Sequence, residues 1–373
     1  MCGHDPWPGT PTHSRRLVAV AFAAACAAPA ACAAPRLQEP PEPAAPTESE
    51  GDSPWLLMPI LSSNPKLGTS FGVLAGYVHT FDEGSLPSVF GVTAQYTSTD
   101  SIVAGAFAKT SFDADEHRIV GAAFAGHIKN DYDNFLGTGV PLKTEDNVNA
   151  IAARYLNRIA GDWFGGLQAV YTDYHIVGNS ALDESFLDFL GLTGFRSGGL
   201  GAVAMHDSRD NDNSPTCGLL LNLNNIAYRE ALGGAEDFDV VRLDLRAYLG
   251  HGDGSVFALR QSNQWTFDAP PGAFAPILLR GYTMGEYLGE NMSSFEVEER
   301  YRLGPRWTTT LFTGAAVLYG AGLSAGNYDN LYPTVGGGLQ YLLKEKEGIV
   351  ANLEYAQGKD GNYGIYLRVG FGF

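Results

Sequence analysis

Beyond its N-terminus the 373-residue chain has no apolar run of about 20 residues, so no helix of its body can cross a bilayer. Basic residues are scarce. There are 24 Lys and Arg against 41 Asp and Glu, a formal net charge of −17. A chain of that sign lacks the basic patches that nucleic acid requires, so nucleic acid is excluded as a partner. Cysteine is scarce too: Cys2, Cys26 and Cys32 lie near the N-terminus and Cys217 alone lies in the body. If the N-terminal segment is removed, Cys217 has no partner for an internal disulfide. Metal-ligand spacings and cofactor fingerprints are missing as well, so neither a metal nor a cofactor is expected. What is plentiful is glycine, with 46 residues, and aromatic residues at 12%, distributed over short alternating segments. That composition is the mark of a membrane β-barrel rather than of a helical membrane protein.

The N-terminus reads as an export signal over residues 1–34. Arg15 and Arg16 supply the positive region, Leu17 to Ala28 the apolar one, and Ala31-Cys32-Ala33 the small-residue cleavage context. Pro29 and Pro35 interrupt a stretch already short for a spanning helix. Acylation at Cys26 or Cys32 is the other alternative; both follow small residues, and neither has the leucine that would strengthen the context. Residues 35–53, rich in Pro, Ala and Glu, cannot bury a core and read as a disordered spacer.

From 54 to 373 one hairpin follows another. Tyr363, Ile365, Leu367, Val369, Phe371 and Phe373 alternate with small or polar residues. So do Ile349, Ala351, Leu353 and Tyr355, opposite Asn352 and Glu354, and Val241, Leu243 and Leu245, opposite Arg242, Asp244 and Arg246. A period of two with one apolar face is a half-exposed strand, in a soluble sandwich or in a membrane barrel. Three features favour the barrel. Strands run to about 10–14 residues against the usual roughly 5–6, aromatic residues gather near strand ends, and the chain ends on Phe373 inside a strand. The expectation is an all-β fold: a single transmembrane antiparallel barrel of about 16 strands, an even number. Strands begin near Trp55, with later starts near Val148, Gly198 and Ser294 and the last near Asn362. With both ends periplasmic, long external connections fall at 131–146, 177–196, 269–293 and 319–331, and one long turn, His206–Thr216, falls on the other side.

Enzyme-like strings do not hold together. Gly322-Leu323-Ser324-Ala325-Gly326 spells a nucleophile elbow, but no His follows it. Gly199-Leu200-Gly201 has no helix after it. Asp210-Asn211-Asp212-Asn213 lacks the glycine and closing glutamate of a calcium loop. His206-Asp207-Ser208 are neighbours pointing in different directions, not a triad. The chain is not expected to be an enzyme.

The stretch Leu279-Arg280-Gly281-Tyr282, within the long connection before the strand near Ser294, resembles the inward loop tip of the BamA/TamA family of outer-membrane assembly barrels. Other stretches match in order: Pro65-Lys66-Leu67-Gly68 at the first hairpin, Asp207-Ser208-Arg209-Asp210-Asn211 with Pro215 and Gly218 at the long turn, Glu298-Glu299-Arg300, Phe312-Thr313-Gly314, and terminal Phe373. The resemblance spans about 54 to 373 and implies a short member without periplasmic docking (POTRA) domains. It implies a place in the bacterial outer membrane, with lipid around the barrel. It also implies insertion or translocation of secreted or membrane-protein substrates, or of other substrates, and recognition of Phe371 and Phe373 by the barrel-assembly machinery. A passive pore or transporter is the alternative; a barrel enzyme acting on lipid would need a clustered Ser, His and acid, which is not seen. Within the resemblance Arg280, Gly281 and Tyr282 form a lumen tip, Glu298 and Arg300 its partners, and Asp207, Arg209 and Asp210 the periplasmic turn. A buried guanidinium demands pairing, so a bidentate Arg280–Glu298 pair is expected. Thr313 stands where many relatives have an acid, which would load Glu298 further. Glu299 falls on the lipid-facing side of its strand, where a rim position would explain it.

Overall fold

A computed structural model describes residues 53–64, 68–132, 141–190, 192, 194–252, 254–283, 285–345 and 348–369. The signal segment 1–34, all of the spacer but Ser53, Pro65 to Leu67, and Phe371 and Phe373 lie outside the described residues.

Strands are β1 (Trp55–Asn64), β2 (Gly68–His79), β3 (Ser88–Thr97), β4 (Ile102–Phe112), β5 (His117–Tyr132), β6 (Leu142–Ala160), β7 (Trp163–Gly178), β8 (Arg196–Asp207) and β9 (Gly218–Tyr228). They continue with β10 (Phe238–His251), β11 (Ser255–Phe267), the two-residue β12 (Ala275–Pro276) and β13 (Leu288–Gly289), β14 (Asn291–Arg302), β15 (Trp307–Tyr319), β16 (Leu331–Lys344), β17 (Ile349–Gly358) and β18 (Tyr363–Val369). All but β12 and β13 join in one closed antiparallel barrel of sixteen strands, with β1 paired to both β2 and β18. Closure leaves no free edge, the condition for a sheet to survive in lipid. The rim where β1 begins is called lower here.

Burial is inverted relative to a soluble protein. Outward residues such as Leu57 and Leu167 are 74% and 69% exposed, whereas Glu298 and Glu354 are 1% exposed. The apolar face of each alternating strand therefore points out and the charged face in, which settles the choice between sandwich and barrel. Aromatic pairs mark the lower rim, where Trp55 meets Tyr77, Trp163 meets His206 and Trp307 meets Tyr341.

Several boundaries differ from expectation. β6 begins at Leu142 rather than Val148, because pairing with β5 continues up to Tyr132↔Leu142 and shortens the expected 131–146 connection. β14 begins at Asn291 rather than Ser294, still paired with Trp265 of β11. The 177–196 connection contains helix α1 (Ala181–Leu190). The Ser180 hydroxyl accepts from the Asp183 N–H at 3.1 Å, capping its start. Its Leu187 packs on Tyr132, Leu142 and Leu192, and that contact holds the helix on the upper ends of β5 and β6. Cys217, beside the start of β9, is disulfide-bonded in the full-length chain; the expected unpaired state concerns the chain after its N-terminal segment is removed.

Candidate functional site: an inward loop and an inward turn

The connection from β11 to β14 dips into the barrel. A 3₁₀ turn at Pro271–Ala273 bends it, and pairing of β12 with β13 draws its limbs together so that the tip projects inward. The tip is apolar on one side. Ile277, Leu279, Tyr282 and Tyr287 pack against Met292, Ala316, Leu318 and Tyr332, the lumen side of β14 to β16.

The other side of the tip is ionic. Arg280 is 6% exposed. Its Nη1 donates to Glu298 Oε2 at 2.6 Å and Glu354 Oε1 at 3.1 Å, and its Nη2 donates to Glu296 Oε1 at 2.7 Å. The guanidinium lies 3.4 Å from the centre of the Phe312 ring. Burial works against the charge, but Glu298, Glu296 and Glu354 outweigh it and hold the guanidinium above its ordinary pKa. Backbone contacts finish the clamp: the Thr334 hydroxyl donates to the Arg280 carbonyl at 2.6 Å, the Tyr282 hydroxyl to the Pro333 carbonyl at 2.6 Å, and the Gly281 N–H to the Tyr366 hydroxyl at 3.0 Å. Gly281 needs its hydrogen. Its φ is +89°, and a Cβ there would meet the Gly358 backbone at 3.1 Å.

The expected bidentate pair with Glu298 is thus replaced by a guanidinium shared among three carboxylates. β14 supplies two of them, at alternate positions on its lumen face, and β17 supplies the third. Glu354 was legible as a polar-face residue, but no local signal ties it to a loop 74 positions away. Thr313 does not stand in for an acid. It lies on the outward face, where its hydroxyl donates to the Thr334 carbonyl, and it is Phe312 that faces the loop. Glu298 does carry a second load: it accepts from Arg300 Nε at 2.7 Å. Arg302, on the same face, reaches the rim and is exposed. Glu299 points outward near that rim, with its Oε1 2.8 Å from His251 Nε2.

The β8–β9 turn enters from the lower side. Asp207 accepts from Arg209 Nε at 2.7 Å and from Arg118 Nη1 at 2.6 Å, and Arg209 also reaches Asp212 at 2.6 Å. Lys109 on β4 pairs with Asp212. Burial opposes the Asp212 charge, yet Lys109 and Arg209 hold its carboxyl well below the usual carboxylate range. Asp210 builds the turn, accepting from the Thr216 and Cys217 N–H groups at 2.9 and 3.1 Å. One of its oxygens serves the backbone and the other accepts from the Thr216 hydroxyl; among the described residues no group of three His, Cys, Asp or Glu is placed to hold a metal. Asn211 abuts Gly348 in the β16–β17 turn, and the Pro215 carbonyl accepts from Arg300 Nη1 at 3.3 Å. The turn therefore spans the lower mouth. A continuous polar chain, Arg280–Glu298–Arg300–Pro215, joins it to the upper loop.

The 322–326 stretch lies in the β15–β16 connection, leading to the 3₁₀ turn Tyr328–Asn330, not on a strand–turn–helix. No protein-family profile matches the sequence, and no curated protein does. Solved structures do match. BamA from Haemophilus ducreyi, in a form lacking POTRA domains 1–3, is similar at 12% identity with a TM-score of 0.55, over 85% of this chain and 70% of that one. CdiB from Acinetobacter baumannii is similar at 12% identity and TM-score 0.56, over 84% of this chain, and CdiB from Escherichia coli at 11% and 0.54, again over 84%. The chain spans 59% and 62% of those two CdiB chains. A sixteen-strand closure, an apolar exterior and this similarity together give the chain the fold of the outer-membrane barrels BamA and CdiB.

Proposed function

We propose that this barrel sits in the bacterial outer membrane with its lower rim in the periplasm, and inserts or translocates protein substrates there. Residues 1–34 act as the export signal and 35–53 as a spacer. The barrel-assembly machinery receives the chain through its terminal Phe371 and Phe373. The observation that carries the reading is the loop tip held in the lumen by one guanidinium and three carboxylates. Directional contacts of this kind dock a loop or release it as a unit, which suits a barrel that must open for a passing substrate. The similarity in fold to BamA and CdiB supports the same reading.

The test has two arms. Cells lacking the protein are compared with wild type by quantifying outer-membrane and secreted proteins, and purified barrels are recorded in planar bilayers. Loss of a defined set of proteins, with a barrel that conducts poorly at rest, supports the proposal. An unchanged protein profile together with a steady open channel means a passive pore.

A further inference from the structure

Most lumen charges are balanced. Arg280, Arg300 and Arg368 face Glu296, Glu298 and Glu354, while Lys109, Arg118, Arg158 and Arg209 share Asp115, Asp207 and Asp212. The wall from β6 to β11 departs from this pattern. It carries Arg154, Arg242, Arg246 and Arg260, and Asp244 is the acid that serves the last two. Among the described residues Arg154 and Arg242 have only neutral partners. Arg154 donates Nε and Nη2 to Gln168 Oε1 at 3.1 and 2.6 Å, and Arg242 donates Nε to Gln264 Oε1 at 3.0 Å. The two are linked through the wall: Gln168, which Arg154 holds, donates to Asn224, the residue paired with Arg242. Both guanidiniums are half-buried and have no acid beside them among the described residues, which leaves them able to pair with an anion.

The neutral partner of Arg154 is held rigidly. Gln168 gives its amide hydrogens to Asn224 Oδ1 at 3.0 Å and to the Asn225 carbonyl at 2.9 Å, so only its oxygen is left for Arg154. It reaches them because the β8–β9 ladder is interrupted between Leu200↔Ala227 and Val203↔Asn224. Gly201 fills the gap; a Cβ there would lie 1.6 Å from the Asn225 carbonyl oxygen. Arg242 and Gln264 in turn line a cavity of about 350 Å³ beneath the inward loop. Thr172 and Ser197 add hydroxyls, while Phe195, Phe238 and Leu278 form an apolar wall.

We propose that this cavity binds an oxyanion carried on an apolar body, an aromatic or short aliphatic phosphate or carboxylate. The anion is held by the terminal nitrogens of Arg242, with Arg154 adding a second positive charge, and the apolar body lies against Phe195, Phe238 and Leu278. A guanidinium offers paired donors to an oxyanion in one plane. The proposal does not depend on the protein-insertion reading: either can fail alone.

The test is equilibrium binding of phenyl phosphate to the purified, folded full-length barrel, with inorganic phosphate and the neutral aromatic benzyl alcohol as controls. Phenyl phosphate should bind more tightly than either control. Arg242→Gln should weaken it roughly 10- to 100-fold, the worth of one charged hydrogen-bonding partner, and Arg242→Lys should restore part of that. Arg154→Gln should weaken it less. Heat-dependent gel mobility verifies that each variant is folded. If Arg242→Gln fails to fold, competition in the wild type decides: benzoate should displace phenyl phosphate, and benzyl alcohol should not. Equal binding of phenyl phosphate and benzyl alcohol, or undiminished binding by folded Arg242→Gln, overturns the proposal.

Discussion

Replacing Arg280 by alanine removes the cation that Glu296, Glu298 and Glu354 share. Glu298 keeps Arg300 and Glu354 keeps Arg368, but Glu296 loses its only hydrogen-bonded cation among the described residues. Breaking a buried pair by deleting one partner costs about 3–5 kcal/mol. At 1.4 kcal/mol per tenfold, the ratio of docked to undocked loop falls by roughly two to four orders of magnitude. The apolar side of the tip does not make good that loss. Ile277, Leu279, Tyr282 and Tyr287 pack on the wall, but fixing the backbone from 277 to 287 costs at least as much as their burial contributes. The ion cluster therefore decides the balance. Hydrogen exchange and limited proteolysis of folded barrels should show the 277–287 tip exposed in Arg280→Ala, with protection of the β14 to β17 ladder unchanged. A tip as protected as in the wild type, in a variant that still shows the folded gel mobility, would refute the reasoning.

Glu298→Ala should release the tip less than Arg280→Ala, because Glu296 and Glu354 still hold Arg280; exchange rates in the two variants rank them. The double variant should be milder than the sum of the singles, since both remove one shared contact. Gly358→Ala places a Cβ 2.7 Å from the Tyr282 ring and should cost about 1–3 kcal/mol of loop docking with the charges intact, read by the same exchange experiment. The Asp212 carboxyl is held below its ordinary range, so its contribution to the turn is full above about pH 4 and is lost as pH falls further. Proteolysis of the 208–217 turn by an acid protease should rise over that window in the wild type and stay flat in Asp212→Asn. N-terminal sequencing of the exported protein should begin between about Cys26 and Arg36; a start at Met1 would remove the signal reading.

The barrel was legible because its determinant is local. Alternation in 241–249 or 349–355 assigns each residue a face with no knowledge of its neighbours in space, and strand count follows from hairpin count. The ends of β5 and β6 were not legible, since their upper halves alternate polar residues such as Thr144 and Asp146 that read as loop until pairing is known. The loop tip was found through Arg280, and its partners on β14 through alternation from Glu298. Glu354 and Phe312 were missed because they are brought to Arg280 by barrel closure, which no sequence spacing encodes. Thr313 was misplaced for a related reason: a motif match does not carry the phase of the strand. The long 206–216 stretch was noticed as an anomaly of length, but nothing within it announces Lys109 or Gly348 on the far wall.

That turn makes the lower mouth a braced hoop. An unbraced ring of strands goes from round to oval by small shared changes in twist, with no hydrogen bond broken. Here one chord runs from β8 through Asp212 to Lys109 on β4, and another through Pro215 to Arg300 on β14. Each ties together walls that no strand ladder joins, so widening the mouth there means stretching or breaking one of these contacts. Because Arg300 also grips Glu298, slackening one brace alters the tension on the loop at the opposite end.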